Sequence, residues 1–367
     1  GDLYKNLSKC STCLGKGVVY LELSRTAGFN QFPIGVSEVA EGGFRTDSGT
    51  LKRLSMYARG DLKEFVDIII RYNAIGTYLN TFVNGIRDHV NEDSILHPKF
   101  MQCVTATARL SSRDPNFQNQ PRGNTFPIRK VITSRFKDGQ IMEVDFAQLE
   151  FRTAVFLAQD KQGMEDIDNG VDVHQFTANT IGVTRQEAKA HTFKPLYGGM
   201  SGTEDQKRYY KAFLEKYKDI AKWHENLQSN AIQYKKIKLP SGREYAFPYA
   251  QRQAWGGSSY STQIKNYPVQ GFATADIVPV ACINVYNLMK KNKVKSLMIN
   301  TVHDSIVVDT HPDEVDLMIR LLRKGTSNVV ESLNSFYNVE FNVPLDTDIK
   351  IGYNWLDMNE IVIERVV

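Results

Sequence analysis

The sequence predicts an α+β fold in which a helical domain interrupts a sheet. Strand patterns lie at 141–146, 296–309 and 339–351, and helical patterns dominate from about 147 to 230. Because strand patterns occur on both sides of the helical block, we expect the block to be inserted between strands of one sheet. The 367 residues are enough for a large core and more than one domain.

The remaining elements follow from local patterns along the chain. Residues 1–50 contain many Gly and Ser and favour loops, whereas 61–90 carry apolar residues at helical spacing, which predicts a long amphipathic helix. Residues 103–130 are rich in Ser, Asn, Pro and Arg, a composition typical of an ordered loop region. Pro312 favours the start of another helix after the second strand region.

Composition limits the possible classes of protein. Hydrophobic residues make up 42% and charged residues 23%, and we expect no apolar run of membrane-spanning length. A net charge of +4 is compatible with a nucleic-acid partner. Four cysteines do not suggest a disulfide scaffold and so predict a reducing compartment. Cys10 and Cys13 form a CxxC motif, but zinc usually needs two further ligands, so unpaired thiols are the favoured interpretation.

Two aspartates lie at the ends of apolar strand patterns. Asp145 closes the pattern in IMEVDF, and Asp304 lies in the tight turn between LMINTV and SIVVD. Each has an ordinary alternative role, Asp145 as a helix cap and Asp304 as a turn residue. If neighbouring strands bring the two carboxylates together, they can bridge two divalent cations roughly 4 Å apart. The pattern therefore predicts a cation site that depends on their meeting.

The segment TRQEAKAHTFKPLYGG predicts a helix with a defined start and stop. Thr184 and Glu187 form a capping box, and Gly198-Gly199 supply the stop. Four residues recur at a spacing of four and so fall on one slowly drifting face: Arg185, Lys189, Phe193 and Tyr197. One interpretation is a solvated basic start followed by a buried aromatic end. The other is a nucleotide-binding face, with cations for the phosphates and rings for the sugar and base.

These segments, in this order, resemble the A, B and C motifs of family A DNA polymerases. The motifs appear here as DFAQLEFR, as R-x3-K-x3-F-x3-YG and as VHDS. Further stretches are similar to the family: TARLSSRDPNFQNQP, DVHQ, NYPVQG and the closing GYNWLDMNE. The resemblance spans about residues 60–360, and the ordered set is far more specific than any single motif.

The resemblance implies a right-hand fold with an antiparallel-sheet palm, helical fingers and a helical thumb. It implies Asp145 and Asp304 as ligands of two Mg²⁺ ions, with Mn²⁺ as an alternative and the Phe146 carbonyl assisting. Lys189 would act in catalysis by stabilising the leaving pyrophosphate. The residues implied to bind the incoming dNTP are Gln148, Glu150, His174, Arg185, Lys189, Phe193 and Tyr197. The residues implied to line the primer–template groove are Arg109, Asn116, Asn119, Arg152, Asn266, Gln270 and His303.

For each Asn in that groove, a role as a turn former stays an alternative to DNA contact. The implied domains are an N-terminal segment with the thumb at 1–102, palm at 103–155, fingers at 156–269 and palm again at 270–367. The implied partners of a monomeric enzyme are primer–template DNA and dNTPs, and no processivity-factor site is apparent.

Glu150 bears on which nucleic acid is made, because in the family it closes the space beside the sugar and disfavours a ribose 2′-hydroxyl. DNA synthesis is therefore expected, and Phe193 in place of Tyr implies discrimination against dideoxynucleotides. Two alternatives stay open: a catalytically silent primer–template binding protein and a template-dependent RNA polymerase. A primer-extension assay separates them from a DNA polymerase.

The chain departs from the family pattern at several positions. Ser305 stands where many members carry Glu, so we expect the two aspartates alone to suffice for the cations. Pro195 should kink the last turn of its helix, and Lys194 adds a cation near the nucleotide. The hundred or so residues before the motifs are too few for the thumb and a proofreading exonuclease. The start at Gly1 rather than Met predicts a trimmed chain.

Overall fold

The computed structural model describes residues 39–40, 43–44, 47–199, 204–254 and 256–361. The chain divides into two compact units, Gly1–Asp88 and His89–Val367. The Cys10 and Cys13 motif lies outside the described residues, and so does the side chain of Lys189.

The first unit contains a short β-hairpin followed by helices. Val39–Ala40 (β1) pairs antiparallel with Gly43–Phe44 (β2). Helix α1, Ser48–Tyr57, begins after Asp47, whose carboxylate accepts a hydrogen bond from the Thr50 N–H at 3.0 Å. This is a side-chain cap of the kind that aspartate favours.

The amphipathic helix predicted over 61–90 is confirmed as one helical run. Its parts are Gly60–Thr77 (α2), the π-helical Tyr78–Val83 and Asn84–Arg87 (α3). The apolar stripe of this run is largely exposed, with Ile68 57% and Tyr72 75% accessible. Among the described residues of the first unit, the stripe therefore forms no core.

The second unit is built on a five-stranded antiparallel sheet. Its strands are Gln140–Phe146 (β5), Leu297–Val302 (β8), Ser305–Thr310 (β9), Thr347–Gly352 (β10) and Asn359–Glu360 (β11). Their order across the sheet is β11-β10-β5-β9-β8. The strands predicted at 141–146 and 296–309 are confirmed. The prediction for 339–351 was wrong before Thr347, in a segment where Pro344 cannot donate to a ladder.

Two small ribbons accompany the main sheet. They are Lys99–Met101 (β3) with Ser111–Arg113 (β4), and Lys236–Lys238 (β6) with Glu244–Ala246 (β7). Apart from β4 and the 3₁₀ turn Ile128–Val131, residues 103–130 have no regular structure, which confirms the predicted loop region.

The central strand β5 has two different faces. Met142, Val144 and Phe146 are buried in the hydrophobic core that the sheet shares with the helices. Because side chains alternate along a strand, Glu143 and Asp145 lie on the opposite face. The apolar face therefore anchors the strand while the other face carries carboxylates.

The helical block predicted from 147 to 230 is confirmed. Its helices are Leu149–Ala158 (α4), Lys161–Asp168 (α5), Val173–Ile181 (α6), Arg185–Thr192 (α7), Glu204–Lys216 (α8) and Lys218–Tyr234 (α9). The Phe151 ring packs edge-on against Phe213 and Tyr217, with centroids 6.4 and 5.2 Å apart. These aromatic contacts join α4 to the last two helices of the block.

The helix predicted over 185–197 is shorter than expected. The capping box at Thr184 is confirmed, but α7 ends at Thr192 and a separate 3₁₀ turn follows at Pro195–Tyr197. Proline has no N–H with which to continue the α-helical ladder, so the helix ends before Pro195 and does not continue through the predicted kink. The prediction that the four residues share one helical face was wrong, because Phe193 and the residues after it lie beyond the end of α7.

A long helical run crosses the core through Ser261–Gly271 (α10), the π-helical Phe272–Ile277 and Val278–Asn292 (α11). Among the described helices this 32-residue run is long and apolar enough to cross a membrane, which corrects our expectation that none would be. However, 56% of its most apolar window is buried inside the protein, as in a core helix. A Cβ at Gly271 would collide with the Tyr245 hydroxyl, so glycine permits this close packing.

Two helices lie between β9 and β10 in the chain. They are Val315–Ser327 (α12) and Val329–Tyr337 (α13), and a 3₁₀ turn at Pro312–Glu314 precedes them. The helix start predicted at Pro312 is confirmed as this turn.

Candidate active site

Strand pairing brings the two predicted acidic residues together. Asp145 lies opposite Ser305 in the β5–β9 ladder, and Asp304 directly precedes Ser305 in the hairpin turn. The Phe146 N–H donates to the Asp304 carbonyl at 3.1 Å. The β8–β9 hairpin therefore places Asp304 at the end of β5 where Asp145 lies, as the sequence pattern required.

The two carboxyl groups are largely buried and act on each other. Burial, then repulsion from Asp304 and from Glu143, raises the pKa of Asp145 to about 7. Burial likewise raises the pKa of Asp304. The charge of Arg122, which the sequence analysis did not single out, opposes the rise in the pKa of both groups. Neighbouring carboxyls that resist ionisation are typical of sites that bind a cation.

The donor atoms at this acid pair fit a hard divalent cation. Asp145 Oδ1 is buried and has no hydrogen-bond partner among the described residues. A buried acceptor without a donor is costly, and Mg²⁺ prefers such carboxylate oxygens. The described residues include no cluster of three or more His, Cys, Asp or Glu suited to a metal ion. Two carboxylates are therefore the side-chain donors available, to be completed by backbone carbonyl, phosphate or water oxygens.

Three residues predicted separately meet beside the acid pair. Arg109 Nη2 donates to Glu150 Oε1 at 2.6 Å, and the Tyr197 hydroxyl donates to Glu150 Oε2. Arg109 Nε also donates to Thr274 Oγ1 at 3.0 Å. Burial raises the pKa of Glu150, and the Arg109 guanidinium opposes that rise. Both oxygens of Glu150 are thus held in place.

Two predicted phosphate-binding residues share one acidic partner. Arg185 Nε donates to Asp172 Oδ2 at 2.5 Å, and Asp172 Oδ1 accepts the His174 N–H at 2.9 Å at the start of α6. The His174 Nδ1 atom lies 3.0 Å from Thr192 Oγ1. The sequence analysis missed Asp172, although an Asp at the start of a helical pattern is a known cap signal.

The other predicted nucleotide contacts lie at the ends of helices. The Phe193 ring, just after α7, makes an edge contact with the His174 ring at a centroid distance of 5.0 Å. Gln148 precedes α4 in a left-handed backbone conformation, with φ of 52°. Phe193 and His174 are therefore neighbours, although the chain reaches them through different helices.

A cavity of about 280 Å³ adjoins the Asp304 hairpin and is lined by Arg109, Gln118, Thr301 and His303, among others. Gln118 Nε2 donates to the Thr301 carbonyl at 3.0 Å and so ties the loop region to the hairpin. Burial, followed by the charges of nearby arginines, lowers the pKa of His303. Two predicted DNA contacts, Arg109 and His303, thus share one cavity.

The predicted amide contacts have different environments. Asn119 is exposed and Gln270 is half-buried. Asn116 Oδ1 accepts the Gln118 N–H at 3.1 Å, which is the turn-forming role that the sequence left open. Asn266 Oδ1 is buried without a hydrogen-bond partner in the described part of the chain. Their contact with DNA stays a prediction.

Arg152 does not have the environment expected of a DNA contact. Its side chain is only 8% exposed, and its guanidinium donates to the Pro344 carbonyl and, at 2.7 Å, to Asp346 Oδ2. This ion pair ties α4 to the segment before β10, and a contact of Arg152 with DNA stays a prediction.

Comparison with known proteins decides the family. The family described as DNA polymerase family A matches residues 29–357, which is most of the chain. The chain belongs to DNA polymerase family A. The family predicted from the three ordered motifs is therefore confirmed.

Curated relatives of this family A chain include bacterial and phage enzymes. "DNA polymerase I" of Lactococcus lactis subsp. lactis is 28% identical over 353 residues, covering 90% of this chain and 38% of the relative. "DNA polymerase I" of Bacillus subtilis is 26% identical over 353 residues, covering 90% and 38%. "DNA polymerase" of Bacillus phage SP01 is 26% identical over 348 residues, covering 85% and 37%. The family A chain thus spans about two fifths of the length of these relatives.

A solved structure supports the fold. The POL domain of Pol1 from M. smegmatis, in complex with DNA primer-template and dNTP, matches with a TM-score of 0.75 and 22% identity. The match covers 97% of this family A chain and 64% of the other. The α+β polymerase fold predicted from the sequence is confirmed, whereas the predicted boundaries of thumb, palm and fingers stay predictions.

Proposed function

We propose that this chain copies a DNA template by adding deoxynucleotides to a primer 3′-hydroxyl. The observation that carries the proposal is the convergence of Asp145 and Asp304 around a buried, unpartnered carboxylate oxygen. The names of the curated relatives, and the DNA and dNTP bound in the solved family member, support the same activity. A location in the cytoplasm of a bacterial or phage-infected cell and a monomeric state remain predictions.

The acid pair would hold two Mg²⁺ ions, or Mn²⁺, with the Phe146 carbonyl as a further ligand. When bound, the cations would lower the pKa of the primer hydroxyl and neutralise charge on the departing pyrophosphate. Asp145 and Asp304 bind a cation as carboxylates, so the raised pKa of Asp145 implies that a proton leaves when the cation enters. Burial keeps both side chains in one orientation while the nucleotide exchanges.

The triphosphate would be bound by Arg185, His174 and Lys189. Asp172 uses the Nε of Arg185, but a guanidinium carries five N–H donors, so its outer edge can still bind phosphate. By accepting from Arg185 Nε, Asp172 would fix the direction of that side chain, and Thr192 Oγ1, 3.0 Å from His174 Nδ1, would fix the His174 ring. Reduced freedom in the unbound protein lowers the entropic cost of holding the nucleotide.

Glu150 would select the sugar. Arg109 and Tyr197 hold one oxygen each, so the carboxylate cannot turn aside to admit a ribose 2′-hydroxyl without losing a hydrogen bond. A site that leaves buried polar groups unpaired with the wrong substrate discriminates strongly. Because Arg109 also lines the cavity beside His303, the same residue would connect sugar selection to the primer–template groove.

Primer extension tests the proposal. The assay supplies a recessed primer–template, Mg²⁺ and either dNTPs or rNTPs. We expect extension with template-matched dNTPs, little with rNTPs, and none by Asp145→Ala, which removes a main cation ligand. Asp316→Asn, at an exposed position on α12, is the matched control and should extend normally.

Two outcomes would contradict the proposal. Tight primer–template binding without extension would identify the silent binding protein. Preferential incorporation of rNTPs would identify an RNA polymerase.

A further inference from the structure

Glu143 is a buried carboxylate for which the proposed chemistry has no role. It lies on β5 two residues before Asp145, on the same face of the sheet, and is 7% exposed. The nearby guanidinium of Arg129 stacks on the Trp355 ring at 3.9 Å from its centroid and donates to the Gln120 carbonyl. The Arg129 guanidinium near Glu143 therefore stacks on an aromatic ring and donates its hydrogen bond to a backbone carbonyl.

Neutral donors hold both oxygens of Glu143. The Ser305 hydroxyl donates to Oε1 at 2.8 Å, and the Trp355 indole N–H donates to Oε2 at 3.1 Å. Hydrogen bonds from neutral groups offset only part of the cost of burying a carboxylate. The charge of the nearby Arg129 guanidinium offsets a further part of that cost.

Ser305 connects Glu143 to the acid pair. It directly follows Asp304 and lies opposite Asp145 in the β5–β9 ladder. The bond from Ser305 to Glu143 therefore ties the hairpin that carries Asp304 to the strand that carries Asp145. The charge of Glu143 also reaches Asp145, since it contributes to raising the pKa of that group.

We propose that Glu143 is a positioning residue of the cation site, which holds the Asp304 hairpin through Ser305 and adds a third negative charge from β5. The position after Asp304, where the family resemblance implied a glutamate, holds Ser305, and Glu143 brings a carboxylate to that place from the neighbouring strand. Among the described residues, no three acidic side chains are grouped so that they could bind a metal ion together. Glu143 therefore acts through its hydrogen bond with Ser305 and through the electrostatic field of its charge. The inference rests on the proposed function in that the cation is the one used for nucleotidyl transfer.

The test is Mn²⁺ binding to the whole chain without nucleotide, measured by the electron paramagnetic resonance of free Mn²⁺. Glu143→Gln keeps the size of the side chain and removes its charge. It should weaken Mn²⁺ binding roughly tenfold, because Glu143 lies two residues, about 7 Å along the strand, from the cation ligand Asp145, and charges interact strongly in a partly buried site. Glu360→Gln removes an exposed charge from the edge strand β11 of the same sheet and should change the affinity by less than about twofold.

A double variant keeps the proposal testable if Glu143→Gln fails to fold. Glu143→Ser combined with Ser305→Glu moves the carboxylate to the other strand and should restore Mn²⁺ affinity to within about threefold of the unmodified chain. A merely structural residue would change the melting temperature and leave Mn²⁺ affinity unaltered.

Two results would overturn the proposal: a folded Glu143→Gln chain with unchanged affinity, or a folded double variant with the affinity still lost. Primer extension is measured in parallel on the same preparations. Mn²⁺ binding that depends on Glu143 in a chain that does not extend primers would refute the proposed function alone.

Discussion

Asp145 is partly buried and Asp160 is fully buried, and the protein surrounds the two aspartates in opposite ways. Asp160 is 1% exposed and accepts N–H donors from Gly163, Asp219 and Ile220 at 2.8, 2.9 and 3.0 Å, so one carboxylate caps both α5 and α9. Asp145 instead faces other carboxylates, and its Oδ1 has no partner among the described residues. The first arrangement stabilises the fold, whereas the second is unfavourable until a ligand arrives.

The same difference separates the helical block from the catalytic end of the sheet. In the block, the Tyr217 hydroxyl donates to Asp166 at 2.8 Å and Lys216 pairs with the same carboxylate at 2.6 Å. At the sheet end, Asp145 and Asp304 both have raised pKa values. Polar groups without hydrogen-bond or ion-pair partners are expected where a protein binds and reacts with a ligand. The comparison makes four predictions.

Asp145→Asn should have the largest effect of the four substitutions, and it should lower activity without lowering stability. Removing one carboxylate should lower the rate of primer extension by roughly 10³-fold or more. The melting temperature of the metal-free protein should stay equal or rise, because a buried charge and its repulsion are removed. Single-turnover extension and thermal unfolding in EDTA measure the two quantities. A clear loss of stability would break the comparison with Asp160.

Asp160→Ala should have the reverse effect. Losing a cap shared by two helices should lower the free energy of unfolding by about 2–4 kcal/mol. Extension per folded molecule should be unchanged at low temperature. Urea unfolding checks the first quantity, with Asp168→Ala, at an exposed position on the same helix, as the control. Equal stability of the two variants would disprove the shared cap.

Glu150→Ala should sharpen the comparison, because Glu150 is a carboxylate of the candidate active site that, unlike Asp145, is paired with a cation. Without it, rNTP incorporation relative to dNTP should rise roughly tenfold to a hundredfold. The ratio of kcat/KM values for the two sugars measures this change. Glu331→Ala, at an exposed position on α13, serves as the control. Unaltered sugar selectivity would remove Glu150 from the proposed role.

His224 should show the smallest effect, and only in acid. It is buried in the helical block, its Nε2 lies 3.0 Å from the Leu196 carbonyl, and burial lowers its pKa to about 3. The folded state therefore binds fewer protons than the unfolded state between pH 6.5 and 3, so stability is lost as the pH falls. At pH 5 the loss should be about 2 kcal/mol relative to pH 8.

In His224→Gln this part of the pH dependence should disappear. Urea unfolding of both proteins from pH 5 to 8 measures the difference. Parallel pH profiles would mean that the ring is protonated inside the folded protein.

Much of the fold could be predicted because its signals are local. Alternation placed β5 and the two strands around Asp304, helical spacing placed the long run in the first unit, and the capping box placed the start of α7. The errors also have local causes. Pro195 ended a helix that the fourfold spacing had extended, and the segment before Thr347 was assigned as strand although it contains a proline.

The sequence by itself determined the α+β class, the family and the identity of the acidic pair, because motif order and residue type are visible in the linear chain. Only the tertiary structure decided that Glu150 is held by Arg109, that Arg152 turns inward to Asp346, and that Glu143 reaches Ser305. These contacts join residues 41, 194 and 162 positions apart. Strand register and helix packing select such partners, and neither is encoded in the local pattern around any one of them.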